Sequence, residues 1–287
     1  MQIKLWRHGG HSISRPAVGA VPGKKRATAH GFRHPGRVLN CPAMSMPPAD
    51  LSYLRERVRE LATLVHETWE SSCRDPQDAD DPRPTGDALL QLIDMLDHLQ
   101  SDAHAPGISP AELNTLSEYG LQLLSELAGT ASRLDHPTLA AEIEHLSFPY
   151  ALWIARHGGE IRRLESVVNA LAHFANQSSS PETMASLYCQ CCELIDATSP
   201  AAEEGPAGIP GNPWRLLLVN RAIVATRSLN AEFMEPAFNA IVELLPNDAE
   251  RFFAEGMEQM AVIDYPEHVR TVVRRYYLAH AVPRRLH

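Results

Sequence analysis

The sequence predicts an all-α fold, and three observations carry that prediction. Apolar residues after position 50 recur at alternating three- and four-residue intervals, the spacing of one face of a helix. Helix-opening signals stand directly before several of those stripes. No run of alternating β-branched residues interrupts them. We expect antiparallel helical hairpins stacked as a short α-solenoid, with a compact helical bundle as the alternative.

The elements follow in order. Leu51, Leu54, Val58, Leu61 and Val65 form a stripe of more than four turns, with Arg55, Glu56, Arg57, Arg59 and Glu60 on the opposite side. An acidic, proline-bearing loop follows, and Leu89, Leu92, Ile93, Leu96 and Leu99 mark a second helix. Ser109-Pro110-Ala111-Glu112 is a capping box with proline at the first helical position. It opens a helix carrying Leu113, Leu116, Leu123, Leu124 and Leu127, which Gly129 suits as an end. Shorter helices are expected from Pro137 to Leu146 and from Pro149 to the Gly158-Gly159 stop. Ile161, Leu164, Val168, Leu171 and Ala175 give the next, and Ser180-Pro181-Glu182 opens another. Residues 199–213 hold four prolines and three glycines and read as a loop or hinge. Four helices complete the chain, at 213–227, 231–245, 247–262 and 266–281. Asn247-Asp248-Ala249-Glu250 resembles a capping box for the third, and Pro266 opens the fourth.

Composition divides the 287 residues unevenly. Residues 1–49 carry eight basic side chains and no acid, together with six glycines and six prolines. From position 50 onward eighteen basic residues face all 35 acidic ones, a net charge of −17. The basic segment has too little apolar surface to offset its ordering entropy. It reads as a disordered arm over 1–48, or as upstream sequence ahead of a true start at Met44 or Met46. All three lysines (Lys4, Lys24, Lys25) lie in it, a bias that fits GC-rich coding. The remaining regions are expected at 49–198 (N-terminal helical region), 199–213 (loop), 214–281 (C-terminal helical pairs) and 282–287 (basic tail). No stretch is long and apolar enough to span a membrane. A body this acidic disfavours nucleic acid, unless residues 1–49 supply a polyanion-binding arm.

The last four helices pair with a period near 34 residues, start to start. That spacing resembles tetratricopeptide-type and other α-solenoid repeats, over about residues 137–281 and at the level of architecture. With Trp214 in the repeat's tryptophan position Leu217 fits. Leu218 and Arg221, however, stand where the consensus has a small residue and a tyrosine, so no peptide-binding residue is carried over. The resemblance implies stacked helical pairs that present an extended protein-binding surface.

Several short patterns have the residue types of catalytic motifs. Arg7-His8-Gly9 resembles the opening of histidine phosphatases, but that family needs a sheet, which the chain does not predict. Cys189-Gln190-Cys191-Cys192 forms one cluster, whereas a structural zinc site usually takes two separated pairs. It reads as core packing, and three free thiols imply a reducing compartment. Glu142 and His145 share a helix face at the Glu-x-x-His spacing that di-iron bundles use twice, so a metal centre with carboxylates from other helices is the leading enzyme alternative. No phosphate-binding loop, Ser-His-Asp set or zinc-protease motif is present.

The helix at 213–227 is apolar nearly all round and so is expected to be buried on several sides. Asn220 and Arg227 share one of its faces and need partners there. Nearby acids (Glu232, Glu235, Glu243) would satisfy them internally. Alternatively the two would hold an acidic or carboxylate-ended peptide, with Trp153, Arg156 and Tyr188 bordering the surface. Phe252, Phe253, Met257 and Met260 are expected in the core, and Glu267 is placed to pair with Arg270. Taken together, the sequence reads as a cytoplasmic, non-catalytic adaptor or scaffold without cofactor, which binds a protein or peptide partner.

Overall fold

A computed structural model of the chain describes residues 46–72, 81–101, 108–203 and 211–281. The basic arm, Cys41, Cys73, the middle of the 199–213 loop and the basic tail lie outside the described residues. Eleven helices of nine residues or more, and one of four, account for the described fold: α1 (Leu51–Ser71), α2 (Arg83–Ser101), α3 (Pro110–Arg133), α4 (Pro137–His145), α5 (Ser147–Arg156), α6 (Glu165–Gln177), α7 (Pro181–Asp196), α8 (Pro200–Glu203), α9 (Pro213–Arg227), α10 (Ala231–Leu244), α11 (Pro246–Val262) and α12 (Glu267–His280). The fold is all-α. Among the described residues no helix is long and apolar enough to cross a membrane.

The predicted stripes are the packed faces. Leu51, Leu54, Val58, Leu61, Val65 and Trp69 of α1 are all buried, each large side chain contributing roughly 1.5–3 kcal/mol. α1 packs on α2, α3, α4 and α5, so the first five helices close around a shared centre. Beyond them the helices add in neighbouring pairs. α6 and α7 receive α9, α9 pairs with α10, and α11 with α12 packs against α10. α9 is the hub of this second half, with eleven of its fifteen residues buried.

Local chemistry sets most boundaries. Asp50 accepts from the Tyr53 amide at 2.8 Å to cap α1, and the Ser109/Glu112 capping box forms as expected. Elsewhere the structure moves the ends. α3 runs past Gly129 to Arg133, and Asp135 just beyond it adopts φ = 60°. An aspartate tolerates this left-handed conformation better than most residues. α5 opens at Ser147, with Pro149 inside its first turn. Ile161 is not helical. Its amide donates to Ala197 O at 2.8 Å and its carbonyl accepts from Ser199 N at 3.0 Å, clipping two linkers together as an isolated bridge. The 199–213 segment contains the short α8. α11 opens at Pro246 without a side-chain cap, because its N-cap residue is Leu245 and Asn247 falls inside the first turn; the carboxylate of Asp248 binds the Arg215 guanidinium through two 2.7 Å bonds. Arg270 pairs with Asp264 rather than Glu267.

One close approach locks the N-terminal half. A Cβ on Gly120 would sit 2.3 Å from the Tyr150 hydroxyl, so only glycine lets α3 and α5 meet here. That buried hydroxyl donates to Leu116 O at 2.8 Å.

Candidate functional site

α4 and α6 pack side by side. Between them opens a half-open groove of about 630 Å³, lined by Thr138, Ala141, Glu142, Glu144, His145, Asn169, His173 and Gln177. The lining is two stripes at helical spacing. α4 supplies Thr138, Ala141 or Glu142, and His145; α6 supplies Asn169, His173 and Gln177 at four-residue intervals. Such a volume suits a small molecule or a few side chains of a peptide.

The imidazoles of His145 and His173 stack with centroids 3.5 Å apart at 27°. Phe174 abuts both rings, 5.8 Å from His145 and 5.5 Å from His173, and Phe148 lies behind it at 5.6 Å. Burial, reinforced by the facing His173, drives the His145 pKa down to about 4. Burial also lowers that of His173. Both rings are therefore neutral at physiological pH. On the rim, Glu142 accepts from Arg57 of α1 at 3.0 Å, and that same guanidinium also binds Glu60. Glu144 accepts from Asn169 Nδ2 at 2.9 Å, tying α4 to α6. The lining thus offers two carboxylates, two neutral imidazoles, two amides and a hydroxyl, with no lysine or arginine.

Glu142 and His145, the expected metal pair, do share this groove. Among the described residues, however, no group of three or more His, Cys, Asp or Glu side chains is arranged to hold a metal ion. The expected peptide-binding residues are somewhere else altogether. Asn220 is fully buried, and neither polar atom of its side chain has a partner. Arg227 donates to Ala175 O at 2.7 Å and to Ser178 O, so it closes the C-terminal end of α6 instead of reaching an acid. Burial depresses its pKa. Tyr188 is buried and stacked on Phe233 at 4.4 Å. Trp153 is buried against His157 at 4.0 Å, and Arg156 binds Glu193 of α7 through both carboxylate oxygens. Arg227 and Arg156 join helices to one another, Asn220, Tyr188 and Trp153 are buried, and of the five only Arg156 is exposed. The polar groups on α9 found backbone carbonyls and burial, which the sequence spacing alone did not distinguish from a groove.

Cys191 and Cys192 are free and buried, as core packing requires. Tyr188 and Arg221 both hydrogen-bond to Cys192, and burial holds its thiol up. Cys189 is disulfide-bonded, which removes the three-thiol argument for a reducing compartment.

His173 and Asn169 carry the groove and had not been singled out from sequence. Their signal was present: a second polar stripe at i, i+4 on the helix next but one after Glu142 and His145. Comparison with family models, curated proteins and solved structures found no match to this chain.

Proposed function

We propose that this protein is a non-catalytic interaction adaptor and that the α4–α6 groove receives a segment of a protein partner. The observation that carries the reading is the groove itself: a concave opening between two packed helices, lined by polar residues that expose mainly apolar surface, with the stacked His145 and His173 rings in its wall. Preformed concavities with a few converging polar groups are where ligands bind, and paired helices supply the rigid frame around them. A cytoplasmic setting belongs to the same proposal. The free thiols of Cys191 and Cys192 support it, and the Cys189 disulfide weighs against it.

Quantitative affinity capture from native extract tests the function, with the full chain compared against the same chain carrying Glu144→Gln and His173→Ser. The reading expects one dominant partner, depleted at least about tenfold by the pair of substitutions. Equal recovery on both would remove the groove from function. A metal centre at Glu142 and His145 is the competing reading, with no third His, Cys, Asp or Glu side chain converging on them among the described residues. Stoichiometric iron, manganese or zinc in protein purified without a histidine tag would put it first.

A further inference from the structure

We infer that the α4–α6 groove is occupied in cis by the chain's own basic N-terminal segment, residues 1–45, which an external partner must displace. The inference rests on the groove being the docking site. Charge is its first support. The segment carries eight basic residues and no acid, with the densest run at Lys24-Lys25-Arg26, while the rest of the chain is net −17. The groove lining holds no cationic side chain and two carboxylates, Glu144, which faces only the neutral Asn169 amide, and Glu142, which Arg57 already pairs at the rim. Its neutral imidazoles accept hydrogen bonds from an ammonium or guanidinium group without repelling it.

Geometry is the second support. The segment joins the described fold at Met46, and Met46 and Ala49 pack on the core immediately before α1. Arg57 binds Glu142 on the groove rim. Six residues separate Leu51 from Arg57, about 9 Å of helix rise. A chain of 45 residues extends to on the order of 150 Å, so reach does not limit it. A tether of this kind holds its charges at an effective concentration of roughly millimolar. Weak individual contacts therefore suffice.

The sequence offers an unusually clean test, because its only lysines lie in the segment and its 35 carboxylates all lie beyond it. Zero-length carbodiimide coupling of the full chain at neutral pH, read by peptide mass spectrometry, joins lysine to carboxylate only where they touch. The expected products link Lys24 or Lys25 to Glu142 or Glu144. Their yield should fall at least about fivefold when salt is raised from ~0.05 to ~0.5 M, and the Glu144 product should vanish in Glu144→Gln. In a mixture of heavy- and light-isotope chains the linked peptides should carry one label only. Cross-links scattered over other helices, mixed-label links in statistical proportion, or no lysine links would each overturn the inference. A further arm separates this failure from that of the groove reading. If the full chain with Lys24→Gln, Lys25→Gln and Arg26→Gln still loses its partner on Glu144→Gln, the groove stands and only the cis occupant falls.

Discussion

The stacked imidazoles make stability depend on pH, and the size of the effect follows from the structure. An unfolded histidine titrates near 6.5, whereas burial and the facing ring hold His145 to about 4. The unfolded chain therefore binds more protons between these values. The contribution is fully present above pH 6.5 and is lost as pH falls toward 4. At pH 5 the unfolded ring is almost wholly protonated and the folded one is not, which at the full shift corresponds to ~2 kcal/mol. His145 is only half buried, so solvent screening reduces this to about 1 kcal/mol. Urea unfolding at pH 7.5 and pH 5.0, for the wild type and His145→Gln, isolates the effect. The wild type should lose about 1 kcal/mol more than the variant across that interval. A His173→Gln variant should raise the His145 pKa only partway, because burial is the larger cause and His173 the lesser one. Equal losses in wild type and His145→Gln, or a His145 that titrates near 6.5, would show that burial does not depress this imidazole.

Three further substitutions test the packing that holds the site. Gly120→Ala should destabilise by about 2–4 kcal/mol, from overpacking against Tyr150 and loss of its hydrogen bond; a thermal midpoint within a degree of wild type would contradict the close approach. Asn220→Leu should stabilise by about 1–2 kcal/mol in denaturant unfolding, because it replaces an unpartnered buried amide with an apolar group of similar size, and it should leave partner capture unchanged. Arg227→Met should cost about 2–3 kcal/mol, since two charge-assisted bonds to the end of α6 are lost; a neutral effect would show that Arg227 does not join α9 to α6.

The fold was legible because it is built from local patterns. Apolar stripes such as Leu51 to Val65 name both a helix and its buried face, and the Ser109 and Ser180 caps mark where helices open. What the sequence hid depends on tertiary partners. Asn247 has the residue type of a cap, yet α11 opens one residue earlier, at Pro246 behind Leu245, and takes Asn247 into its first turn. Ile161 continued a stripe by spacing, yet pairs across to the α7–α8 linker. Gly129 looked like a stop, but α3 continues over it and ends beside a left-handed Asp135. The site was half legible. Glu142 and His145 stood out by spacing on one helix, and His173 and Asn169 gain meaning only when α6 is laid beside α4. Asn220 and Arg227 misled because an apolar helix with polar residues reads the same whether those residues face a ligand or the interior.

The most direct measurement follows the histidine resonances of the full chain with Lys24→Gln, Lys25→Gln and Arg26→Gln while a synthetic peptide of residues 22–37 is added. With the native basic cluster neutralised, the peptide should produce saturable shifts of the His145 and His173 ring protons and none at His66, His98 or His268. Shifts spread equally over all histidines, or a silent His145–His173 pair in a chain that still captures its partner, would contradict the α4–α6 groove as the docking site.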